Sequence, residues 1–118
     1  MLECTCPICA KDFGKLREGE LRARELFVSL LSTKQKEEME LLGRVTEKSL
    51  SGKIYIINLL SLVSNIWVQR HGVRCRLCIY MEGERNGAVP VYDHFIAQLL
   101  YVRYNEPELL RIAVCSLD

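Results

Sequence analysis

Histidine is almost absent from this chain, which has two in 118 residues, and no sign of charge prevails. Sixteen Lys and Arg stand against fifteen Asp and Glu, a net charge of +1. The near-balance excludes a protein whose whole surface grips nucleic acid or anionic lipid, though not one with a local basic patch. Long apolar runs are missing as well. The longest stretch without a charge, Ile54–Gln69, is interrupted by Asn58, Ser61, Ser64 and Asn65. A membrane helix needs roughly 20 mostly apolar residues, so the stretch reads as buried strands and no membrane partner is expected. No basic segment leads into an apolar run near Met1, which predicts a soluble intracellular, cytoplasmic chain without a secretory signal. There is no HExxH, no GxSxG and no glycine-rich phosphate loop. A nucleobase-deaminase site is excluded too, since His-x-Glu is missing and the proline of the first cysteine pair lies inside it.

What is abundant is apolar residues, at 49%, and cysteine, six in all. The length suits one domain, residues 1–118, and the composition is that of a folded chain. Four blocks emerge. Residues 1–13 form a cysteine-rich head. Residues 14–43 read as two amphipathic helices, the first with a stripe of Leu16, Leu26, Phe27, Leu30 and Leu31. Ser32-Thr33-Lys34-Gln35 has capping-box spacing for the second helix, which should stop at Gly43.

Residues 44–80 read as an antiparallel meander. Its strands are expected over Arg44–Lys48, Lys53–Asn58, Asn65–Gln69 and Val73–Tyr80, with turns at Ser51-Gly52 and His71-Gly72. Residues 88–114 return to helix. Pro90 suits a first helical position with Asp93 in the first turn. Tyr92, Phe95, Ile96, Leu99, Leu100 and Val102 cover most of that helix, leaving a polar stripe through His94 and Gln98. Asn105 and Pro107 then open a short final helix through Leu109, Leu110 and Ile112. The expected class is α+β: two helices, three or four meander strands, a buried helix packed on the sheet or on a partner copy, and a short helix.

Two cysteine pairs carry the chemistry. Cys6-Pro7-Ile8-Cys9 and Cys75-Arg76-Leu77-Cys78 each have the C-x2-C spacing that lets a tight turn aim two sulfurs at one ion. Together they would make a structural Zn2+ site, with Cys4 as a substitute ligand and Cys115 as a small core residue. Such a closed site leaves no place for an activated water. Its requirement is that the strand holding Cys75 and Cys78 end or bulge, because residues three apart in a regular strand face opposite ways. Disulfides are the alternative, as in proteins of hyperthermophiles.

Arg70, Arg74 and Arg76, with His71, make a compact basic hairpin end without an acid, near Trp67 and Tyr55. Arginines with aromatics on a β-ribbon suit nucleic acid. The plainer reading is a solvated turn whose arginines pair with Glu82 and Glu84, with both aromatics in the core or an interface. His94 reads as a helix-surface histidine, and a hydrolase using Asp93 and His94 is the weakest reading.

Gly52 and Tyr55, Asn65 and Ile66, Leu77 and Cys78, Pro90 and Asp93, Gln98-Leu99-Leu100, and then Glu106 and Ala113 recur in order. In this the chain resembles a loose set of small uncharacterised phage, viral and microbial proteins, over about Leu26–Ala113. The resemblance implies the order of helices and strands, a host-cytoplasmic location if the source is viral, and no activity. Other members carry Cys-x-His where this chain has Cys78-Ile79-Tyr80, so a histidine ligand is lacking. The expected function is therefore a non-enzymatic, zinc-stabilised binding module for nucleic acid or a protein. The alternative is a homodimeric assembly protein with disulfide-linked cysteines.

Overall fold

A computed structural model describes residues 15–79 and 90–117. Helices α1 (Lys15–Ser29) and α2 (Thr33–Leu42) precede strands β1 (Arg44–Lys48), β2 (Ile54–Asn58), β3 (Ile66–Arg70) and β4 (Val73–Cys78). Helices α3 (Val91–Tyr104) and α4 (Glu106–Ile112) follow, and β5 (Val114–Leu117) closes the chain's path. The five strands form one antiparallel sheet in the order β1-β2-β3-β4-β5. The α+β class and the four meander strands are as expected. The fifth strand is not: Val114–Leu117 returns to pair with β4, at Cys75↔Leu117 and Leu77↔Cys115. Cys115, expected in the core, is exposed on that strand. No described helix is long and apolar enough to cross a membrane.

The α2 boundaries follow from local chemistry. The Ser32 hydroxyl accepts the Gln35 N–H at 3.2 Å while the Gln35 side chain accepts the Ser32 N–H at 3.0 Å, a complete capping box. Gly43 ends the helix in the left-handed region, at φ 66°, and its N–H returns to the Met39 carbonyl.

Strand alternation gives the sheet two unlike faces. Val45, Tyr55, Ile57, Ile66, Val68, Cys75 and Leu77 are matched across the strands and buried. They meet α1 and α3, where Phe27, Tyr92 and Phe95 cluster at ring-centroid separations of 5.3 to 6.2 Å. Each aromatic pair adds about 0.5–1.5 kcal/mol beyond its burial. Among the described members of the α1 stripe, Leu26 differs from expectation: it is exposed, and Ala23 with Phe27 makes the buried contact.

The larger correction concerns α3. Its polar stripe faces inward, with His94 and Gln98 both buried, so His94 is not a surface histidine. Gln98 and Asn65 exchange amide hydrogen bonds at 2.7 and 3.0 Å, and Asn65 also donates to the Asn58 carbonyl at 3.2 Å. This satisfies buried polar groups that would otherwise be costly, and it ties α3 to the β2–β3 connection.

Candidate nucleic-acid interface

The outer sheet face alternates with the core face along the same strands. β1 contributes Arg44, Thr46 and Lys48, and β2 contributes Ile54, Ile56 and Asn58 opposite them. Ile56 is matched to Trp67 of β3, and Trp67 in turn to Arg76 of β4, with Arg74 opposite Gln69. β5 adds Val114 and Ser116. No strand position on this face is an Asp or Glu, whereas Arg44, Lys48, Arg74 and Arg76 are cationic. Glu38 of α2 reaches the β1 end of this face, where it accepts the Thr46 hydroxyl and pairs with Arg44 at 3.3 Å, so the strand cations away from that end are Arg74 and Arg76.

The centre of this face is built around Trp67, the chain's one tryptophan. The Arg74 guanidinium lies 3.6 Å from the Trp67 ring centroid. The stack follows from the register, which sets Arg74 diagonally from Trp67 on the same face. Such a contact is worth about 0.5–1 kcal/mol at an exposed site. It presents a flat cationic surface beside an aromatic one.

Of the three arginines expected to act together, the structure unites two. Arg74 and Arg76 share the face of Trp67, while Arg70 is matched to Val73 and belongs to the opposite face. His71 sits in the β3–β4 turn at φ 54° and is exposed. Tyr55 is a core residue, whereas Trp67 is half-buried on the outer face. Glu82 and Glu84, expected as partners of the arginines, lie outside the described residues.

The expected zinc ligands divide in the same way. Cys4, Cys6 and Cys9 lie outside the described residues. Cys75 and Cys78 belong to a strand paired without interruption on both sides, so their side chains leave by opposite faces and do not converge there. Among the described residues, no group of three or more His, Cys, Asp or Glu is placed to hold a metal ion.

Asp93 and His94, the pair considered for hydrolysis, sit in the first turn of α3, with His94 buried. Glu20 reaches this turn from α1, and its carboxylate accepts the Tyr92 N–H at 3.4 Å. It supplies from another helix the cap that Pro90 does not make. Burial pushes the Glu20 carboxyl above its ordinary range and Asp93 adds to this, against the Tyr92 and Val91 N–H groups and His94. No local pattern marks Glu20, since the contact spans 72 residues.

Sequence reading also missed a buried polar junction. Glu106, at the start of α4, accepts the Tyr55 hydroxyl at 2.5 Å and hydrogen bonds from Ser49 and Ser51 of the β1–β2 turn. A second junction joins α3 to β1, where Arg103 meets Glu47 through two nitrogens at 3.0 and 3.2 Å. Glu47 also accepts from Gln35 of α2 at 2.7 Å. Comparison of the chain with family models, with curated proteins and with solved structures found no match in any of the three.

Proposed function

We propose that this protein is a non-enzymatic module that binds single-stranded nucleic acid on the outer face of its sheet. The observation that carries the reading is the Trp67–Arg74 stack on a face whose strand positions hold four cations, Arg44 among them paired with Glu38 of α2, and no acid. An aromatic ring and a guanidinium plane both offer stacking surfaces for unpaired bases, and the cations track the backbone. A flat sheet face also suits a single strand better than a duplex groove, which takes a protruding helix or ribbon. The reading moves the contact from the hairpin end to the sheet face, and so replaces Arg70 with Lys48 and Trp67 in the expected set.

The test is fluorescence anisotropy with labelled single-stranded DNA and RNA oligonucleotides over a salt series. Binding should weaken with salt, and Arg74→Ala with Arg76→Ala should lower the log–log slope by about 1.4, from roughly 0.7 per lost phosphate contact. Arg70→Ala, on the other face, should leave the slope unchanged. Wild-type affinity in the double variant, or no binding even at low salt, would overturn the proposal.

A further inference from the structure

Cys75 and Cys115 lie on adjacent antiparallel strands and on the same face. Cys75 is matched to Leu117 and Leu77 to Cys115, which sets the two cysteines diagonally across the β4–β5 ladder. The Cys75 thiol donates to the Val73 carbonyl at 3.9 Å and interacts electrostatically with the Cys115 thiol. The two differ in access: Cys75 is buried and Cys115 exposed. Cys78, the sequence neighbour expected to partner Cys75, leaves by the other face and is matched to Val114.

We infer that Cys75 and Cys115 form a redox-active dithiol, which a low-molecular-weight disulfide converts into an intrachain disulfide joining β5 to β4. The asymmetry of access assigns the order of events. The exposed Cys115 thiolate attacks one sulfur of the small disulfide, forming a mixed disulfide and releasing one small thiolate. Cys75 then gives up its proton to solvent. Its Sγ attacks Cys115 Sγ, the mixed S–S bond breaks, and the second small thiolate leaves. Two protein thiols are oxidised and one small disulfide is reduced to two thiols.

Two features of the site shape this reaction. The Cys115 thiol and burial together push the Cys75 thiol above its ordinary range, while Arg70 on the same face pulls it down. Burial shields Cys75 from the small disulfide, which leaves the first attack to the exposed Cys115. Diagonal cross-strand positions stand about 7–8 Å apart, slightly beyond the Cα separation of a relaxed disulfide. Closure accordingly draws β5 along β4. Among the described residues β5 pairs on one side only, so the movement breaks no second ladder.

The experiment uses the full chain with all six cysteines, reduced and then exposed to excess oxidised glutathione. Remaining thiols are alkylated under denaturing conditions and the products are mapped by peptide mass spectrometry. The expected result is a linked pair of peptides carrying Cys75 and Cys115, reversible by reductant and retained in Cys78→Ser. In Cys75→Ser the mixed glutathione disulfide should accumulate on Cys115. Cys75 joined to Cys78 or to any other cysteine, or both thiols still free after prolonged exposure, would overturn the inference. The wild-type map decides it even if a variant fails to fold.

Discussion

The Tyr55 hydroxyl donates to the Glu106 carboxylate at 2.5 Å, across 51 residues of chain, and both side chains are buried. Tyr55 lies in the middle of β2 and Glu106 opens α4, so the bond fixes the last helix to the sheet. Burial opposes the charge on Glu106, but the hydrogen bonds from Tyr55, Ser51 and Ser49, aided by Lys53, outweigh it and hold the carboxyl below its ordinary range. Burial first, and then this bond, push the Tyr55 hydroxyl far above the usual tyrosine range.

The two shifts bound a pH window. The Glu106 contribution to stability is present above the ordinary glutamate range and is lost as pH falls through the depressed value. The Tyr55 contribution is complete below the ordinary tyrosine range and is lost as pH rises beyond it toward the raised value. Glu20 runs against Glu106, because its raised carboxyl relieves a cost as it protonates. Urea unfolding of wild type and Glu106→Gln over a pH series separates these effects. The variant should be about 2 kcal/mol less stable at neutral pH, the scale of a hydrogen bond to a charged group. The gap should narrow in acid, and a pH-independent gap would contradict the assignment.

Gln98→Leu tests the buried amide pair. Asn65 keeps its bond to the Asn58 carbonyl but loses both bonds to Gln98. An unsatisfied buried amide costs about 1–3 kcal/mol, and the urea midpoint should fall accordingly with an unchanged m-value. A neutral result would mean that water replaces Gln98 at this position.

Which parts of this molecule the sequence discloses depends on how local their causes are. The capping box at Ser32 and Gln35, the glycine stop at Gly43 and the β-branched run through Ile54–Ile57 depend on neighbours a few positions away, and all were legible. β5 was not, because Val114–Leu117 is a strand only by virtue of β4, and four residues carry little periodicity. The inward polar stripe of α3 misled because a polar stripe normally faces water. Here Gln98 finds its partner in a distant segment, and nothing within α3 announces Asn65. The candidate interface was half legible: aromatic and arginine composition marked the region, but only the register separates Arg70 from Arg74 and Arg76.

Gly43→Ala probes a local cause directly. Gly43 adopts φ 66°, and a Cβ there would meet the Leu60 side chain at 3.2 Å. The Gly43 carbonyl also accepts the Leu59 N–H at 2.9 Å, so the backbone is not free to turn away. Left-handed strain and the contact with Leu60 together should cost about 1–3 kcal/mol. Thermal unfolding should show the loss, whereas Gly52→Ala, also at positive φ but with nothing within 4 Å of its Cβ, should lose less. Equal losses would assign the whole effect to backbone conformation.

Trp67 provides its own reporter for the proposed interface. It is the chain's one tryptophan and is half-buried under Arg74, so a base that stacks on this face changes its surroundings directly. Its emission should be quenched on titration with single-stranded oligonucleotide, and the quench should reverse with salt. Trp67→Ala should lose about 1–3 kcal/mol of binding free energy, the worth of one base–aromatic stack, while Trp67→Phe retains part of it. Stacking and charge are then separable, since Trp67→Ala should lower affinity at every salt concentration without altering the salt slope, and Arg74→Ala should alter both. A strand that binds with no change in Trp67 emission, and equally well to Trp67→Ala, would place the contact away from this face.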